Sequence, residues 1–217
     1  MRVAVALTAL LAMLLSTSAE AHPHMWISQV VRVIAKDGKF THVELEWRFD
    51  PTTSETEIPL IDENGDGRLS PQEVKALAKT TLTALQRDGY MTWLNTGDKD
   101  FRPPGPPVFT GHIDDPAHFM LSEEERAAGA EDTPQKQPAI GAKKHTPRNL
   151  VYVMRFELPV PTKFLSVTTL DPEDFIRVAV DKAAKPANCT IGKHPTYKSE
   201  FVPGRPVFAD LTSCRLP

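Results

Sequence analysis

Twelve consecutive residues constrain this chain more than any other stretch: Asp62-Glu63-Asn64-Gly65-Asp66-Gly67-Arg68-Leu69-Ser70-Pro71-Gln72-Glu73. Side-chain oxygens recur at the first, third and fifth positions, in Asp62, Asn64 and Asp66. Gly67, at the sixth, allows a sharp turn with positive φ that other residues adopt only at a cost. Arg68, at the seventh, contributes its carbonyl, and Ser70, at the ninth, is placed to act through a water. Glu73, at the twelfth, brings two carboxylate oxygens. A hard divalent cation such as Ca2+ takes six to eight oxygens at roughly 2.3–2.6 Å in a forgiving geometry, and this spacing supplies them. Three carboxylates leave the filled loop with a charge of about −1. A plainer explanation competes. Asp-Gly runs are turns, and Ser70-x-x-Glu73 with Pro71 at the first helical position is a capping box. That explanation covers the glycines and the serine but not the spacing of the acids.

The loop resembles the EF-hand superfamily. A helix is predicted after it, because Val74, Leu77, Ala78, Thr81, Leu82 and Leu85 recur at helical spacing opposite Lys75, Lys79, Gln86 and Arg87. Asp88-Gly89 stops that helix. Before the loop, residues 52–61 predict only a short or irregular arm, since Pro59 removes a backbone donor near its end. Leu69 is the apolar residue that fixes the loop to whatever packs beside it. EF-hands usually work in pairs, and a second loop is not visible. This one is expected to lean on a sheet or on a second copy of the chain.

Strand patterns flank this unit. Residues 25–35 and 40–49 are joined by Asp37-Gly38, a strong hairpin signal. In the second run Thr41, Val43, Leu45, Trp47 and Phe49 face one way, and His42, Glu44, Glu46 and Arg48 the other. Further strands are predicted at 90–94, 150–158, 164–170 and 175–180. Residues 102–148 are rich in Pro, Gly and charge and read as an insertion. Residues 188–217 read as a loop-rich tail. The pattern predicts an α+β domain: an antiparallel sheet or β-sandwich carrying one EF-hand-like loop and its exiting helix. Residues 22–101 form its first part and 149–217 its last.

Residues 1–21 have a basic start, an apolar run and an Ala19-x-Ala21 exit, which predicts a secretory signal peptide cleaved after Ala21. Cys189 and Cys214 are the only cysteines, and in an exported chain they read as a disulfide. Such a link stabilises by roughly 3–4 kcal/mol in the chain-entropy model. A formal net charge of −3 is too balanced for a nucleic-acid or anionic-membrane partner.

Cleavage would expose His22-Pro23-His24, where a free amine and imidazoles suit Zn2+, Ni2+ or Cu2+. Pro23 lacks the amide proton that a full square-planar terminal site needs. His112 and His118, with Asp114 and Asp115 between them, are a second candidate set, although their spacing matches no common ligand pair. His42 is read as a strand-face residue; His145 and His194 are read as loop histidines without acidic partners. No nucleophile elbow, His-Glu-x-x-His helix or phosphate loop is present, so no enzyme is expected.

The opening His22-Pro23-His24-x-Trp26-Ile27, the strand end Trp47-x-Phe49-Asp50, the calcium-type loop with its helix, and Asp171-Pro172 together resemble one family. It is a domain-of-unknown-function group often filed as the periplasmic component of an uncharacterised ABC-type transport system. The resemblance implies a periplasmic protein of Gram-negative bacteria, often encoded near nickel, cobalt or zinc transport systems. The expected function is an exported calcium-binding protein that serves as an accessory or substrate-binding component of transition-metal transport, with a membrane transporter as partner. The alternative is a calcium-stiffened structural or protein-interaction module that carries no transported metal.

Overall fold

The computed structural model describes residues 25–114, 119, 147–202 and 205–217. Among them the chain runs through β1 (Met25–Lys36), β2 (Lys39–Phe49), α1 (Pro51–Ile61) and α2 (Pro71–Gln86). It continues through β3 (Thr92–Asn95), β4 (Asp100–Phe101), β5 (Val108–Asp114), β6 (Asn149–Thr162), β7 (Phe164–Thr169), β8 (Ile176–Val180), β9 (Cys189–Val202) and β10 (Arg205–Arg215). One sheet has the order β5-β6-β2-β1-β8 and the other β4-β3-β7-β10-β9.

The predicted hairpin forms as read. Asp37 (φ 52°) and Gly38 (φ 72°) are both left-handed, as a tight primed turn between twisted strands requires. Alternation then builds the core. Val43, Leu45 and Trp47 stand opposite Val33, Val31 and Gln29 of β1 and opposite Phe156, Met154 and Tyr152 of β6. Leu94, Leu165 and Val167 of the second sheet join the same buried cluster, so the two sheets share one core. Each such side chain contributes roughly 1.5–3 kcal/mol when fully buried. One polar contact bridges the layers: Trp47 Nε1 and Thr169 Oγ1 each donate to Gln29 Oε1 at 2.8 Å. A buried amide oxygen with two donors carries no unsatisfied penalty.

Several expectations are corrected. The α+β class does not hold: two helices accompany ten strands among the described residues, and the fold is β-sandwich-like. Nor is the first sheet wholly antiparallel, since β8 runs parallel to β1. The stretch 102–148 does not lie entirely outside the sheets, because Val108–Asp114 pairs with β6 as an edge strand. Pro and Gly around it disguise a strand in which exposed and partly buried residues alternate from Val108 to Ile113 and none is fully buried. Residues 188–217 are not a loop-rich tail but the long antiparallel pair β9–β10. Pro195 and Pro206 hid these strands, since proline is tolerated at sheet edges and bulges.

The entering arm is also more regular than expected. α1 is an eleven-residue helix despite Pro59. Its start is strongly fixed, with Asp50 accepting from Thr53 N (2.9 Å) and Thr53 Oγ1 (2.6 Å). Asp50 also accepts from Trp26 N at 3.1 Å and so ties the start of β1 to the same corner. Between α2 and β3, Gly89, Tyr90 and Met91 are consecutively left-handed (φ 56°, 57° and 53°) where a strand was expected to begin. Non-glycine residues there cost roughly 1–2 kcal/mol each. Burial of both side chains, with Tyr90 against Phe156, offsets that cost.

Candidate metal centre

The loop between α1 and α2 folds around its own carboxylates. Asp62, which is buried, accepts from Asp66 N (3.1 Å) and Gly67 N (2.8 Å). Asn64 Oδ1 accepts from Asp66 N at 2.9 Å, and Asp66 Oδ1 accepts from Arg68 N at 2.8 Å. Gly65 (φ 69°) and Gly67 (φ 80°) take the two left-handed positions that let these amides turn inward. Glu73 closes the circuit from the far end: its Oε1 accepts from Glu63 N at 2.8 Å, and its Oε2 from Ser70 N at 2.7 Å. Ser70 Oγ in turn accepts from Glu73 N at 3.3 Å, so the predicted capping box is formed and starts α2.

These bonds set the charge state. Hydrogen bonds from the Ser70 backbone and side chain, joined by the Glu63 amide, hold the Glu73 carboxyl below its usual range against a smaller opposing effect of burial. It is therefore an anion at neutral pH. Among the described residues no group of three or more His, Cys, Asp or Glu side chains is gathered as a metal site. The loop carboxylates are turned onto backbone amides instead. Each bonded oxygen keeps a second lone-pair site, because an ionised carboxylate accepts at about four positions. The donor chemistry thus fits a hard oxygen-seeking cation at Asp62, Asn64, Asp66, the Arg68 carbonyl, Ser70 and Glu73.

The helix pair is seated on the first sheet. Gly111 of β5 leaves the space: a Cβ there would meet Leu77 Cδ2 at 3.3 Å and Leu69 Cδ1 at 3.5 Å. Leu69, the apolar residue of the loop, therefore packs on the sheet. Tyr152 of β6 reaches between the helices, where it is hydrogen-bonded to Thr81 and lies near Glu57. Burial pushes its hydroxyl up to about 12. At the base of α1, Ser54 Oγ accepts from Leu150 N (3.0 Å), and Asn149 Nδ2 donates to Phe49 O (2.6 Å).

The histidines are not brought together by the described structure. His22, His24 and His118 lie outside the described residues. His112 is half-exposed, with Nε2 3.3 Å from Asp114 Oδ1. Asp114 also faces Arg48 at 3.8 Å, a cation that competes with any metal for the same carboxylate. Arg48 belongs to a charged ladder across the outer face of β2. Burial raises Glu46, but Arg32 and Arg48 outweigh it and hold that carboxyl below its usual range.

One constellation had no sequence signal. β9 makes an excursion in which Lys193 pairs Asp210 while Lys198 pairs Phe208. His194 lies inside that excursion, is buried, and places Nε2 3.5 Å from Asp100 Oδ2. Its Nδ1 accepts from Tyr197 N at 2.9 Å, and its ring stacks on Tyr197 at 4.0 Å. Tyr197 meets Trp93, which carries the Arg102 guanidinium on its other contact, 3.1 Å from the ring centroid. The acidic partner denied to His194 at sequence level lies 94 positions away, at Asp100. Cys189 and Cys214 do form the expected disulfide.

Among the described residues no helix is long and apolar enough to cross a membrane. Residues 7–202 match a family model described as "Protein of unknown function (DUF1007)". No curated protein and no solved structure matches the chain.

Proposed function

The chain belongs to the DUF1007 family, and we propose that it is an exported calcium-binding protein of the periplasm. In this reading Ca2+ sits on Asp62, Asn64, Asp66, the Arg68 carbonyl, Ser70 and Glu73 and fastens the α1–α2 pair to the β5–β6 edge of the sandwich. One observation carries it: Glu73 is folded back onto the amide of Glu63, ten positions earlier, so both ends of the acidic loop already meet. Binding would draw the carboxylates inward from their amides while keeping the same turn. Free calcium outside the cytoplasm is high enough to keep even a weak loop filled, which makes the ion structural, not a switch.

The test is a calcium titration followed by melting. Calcium at a hundredfold excess over its dissociation constant should add about 2.7 kcal/mol. That gain should vanish in Asp62→Ala and Glu73→Gln. A wild-type melting temperature indifferent to millimolar calcium rejects the proposal.

The finer reading is an accessory or substrate-binding component of nickel, cobalt or zinc transport. It rests on the family context and on His22 and His24. A calcium-stiffened interaction module without a transported metal is favoured instead by the Arg48–Asp114–His112 arrangement, in which the acid beside the one described candidate histidine is already shared with a cation. Nickel, zinc and copper titrations of the processed chain separate the two. Uptake that survives His22→Ala with His24→Ala removes the transport chemistry.

A further inference from the structure

Arg148 stands just before β6 and points its guanidinium at the acidic loop. Its Nη1 lies 3.6 Å from where a Cβ on Gly67 would sit. Gly67 N itself donates to Asp62 Oδ2 at 2.8 Å. The guanidinium is therefore within about one Debye length, roughly 8–10 Å, of the Asp62 carboxylate. Its position is anchored by its neighbours, since Asn149 is fully buried and bonded to Phe49 O, and Leu150 N is bonded to Ser54 Oγ.

We infer that Arg148 is a built-in detuning charge that weakens calcium binding at this loop; the inference rests on the calcium reading above. The sign follows from the charges. An empty loop presents three carboxylates to the guanidinium, whereas a filled loop presents a net charge of about −1. Arg148 thus stabilises the empty loop more than the filled one, and the difference is its repulsion of the incoming dication. Gly67 matters to this arrangement because any side chain there would stand between the guanidinium and the turn. The consequence is a site whose affinity is set from β6, outside the twelve residues that supply its ligands.

Calorimetric calcium titration of the full mature chain tests this in wild type, Arg148→Gln and Arg148→Lys, each at low and high salt. Arg148→Gln should bind calcium about 3–10-fold more tightly at low salt, with the gap shrinking at high salt as exposed charges are screened. Arg148→Lys should stay near wild type, which distinguishes charge from packing. Melting in chelator checks that each variant is folded. Equal or weaker binding by folded Arg148→Gln overturns the inference while leaving the calcium reading intact. An absence of calcium heat from all three chains overturns both.

Discussion

The acidic loop with its two helices and the β9–β10 pair are held by opposite means. The loop is secured by contacts a few residues apart: Asp62 to Gly67, Glu73 to Ser70, Asp50 to Thr53. The β9–β10 pair is secured by contacts across the chain: the Cys189–Cys214 disulfide, with a sequence separation of 25, and His194 against Asp100. A region built from local bonds needs few partners but closes around like charges, which the proposed cation would offset. A region built from distant contacts must lose chain entropy first and relies on a covalent link to limit that loss.

The largest effect should come from breaking the covalent side. Cys189→Ala with Cys214→Ala, or full reduction, should cost roughly 2–5 kcal/mol in denaturant unfolding and leave calcium-dependent stabilisation in place. Loss of both together would mean the two regions unfold as one unit. On the local side, Glu73→Gln should abolish the calcium-linked gain of about 2.7 kcal/mol without weakening the disulfide-bearing pair. Hydrogen exchange of β9 amides reads that separation directly.

Smaller effects sharpen the contrast. Tyr152→Phe removes the hydroxyl held between the helices and should cost about 1 kcal/mol. Its alkaline behaviour has a definite sign. The folded hydroxyl titrates at about 12, above the ordinary tyrosine value of 10. Between those values the unfolded chain sheds a proton that the folded chain keeps, so the stability conferred is full below pH 10 and lost as pH rises through 12. Tyr152→Phe should flatten that decline in unfolding measured at rising pH. Arg87→Ala should change the unfolding midpoint least, because the Arg87–Glu173 pair is exposed and screened by solvent.

How much could be read in advance divides along the same line. Asp37-Gly38, the alternation of β2 and the capping box are local codes, and each gave the element it specified. The entering helix is only partly legible in the sequence, because Pro59 near its end masks the helix start that the Asp50 cap and Pro51 specify. β5 and β9 are not legible in the sequence because each is an edge strand, with neither a continuous apolar run nor freedom from flanking or internal proline. The left-handed turn at Gly89, Tyr90 and Met91 carried no residue pattern beyond one glycine, since its compensation is burial against β6.

The amino acids alone determined the acidic loop, its following helix, the hairpin and the pairing of the two cysteines, because each depends on neighbours or on a choice of one partner. Only the tertiary structure decided that the loop rests on Gly111, that Tyr152 stands between its helices, that Arg148 faces it and that His194 meets Asp100. Those contacts join residues far apart in the chain, and their energies exist only after the sheets have brought them within a few ångströms.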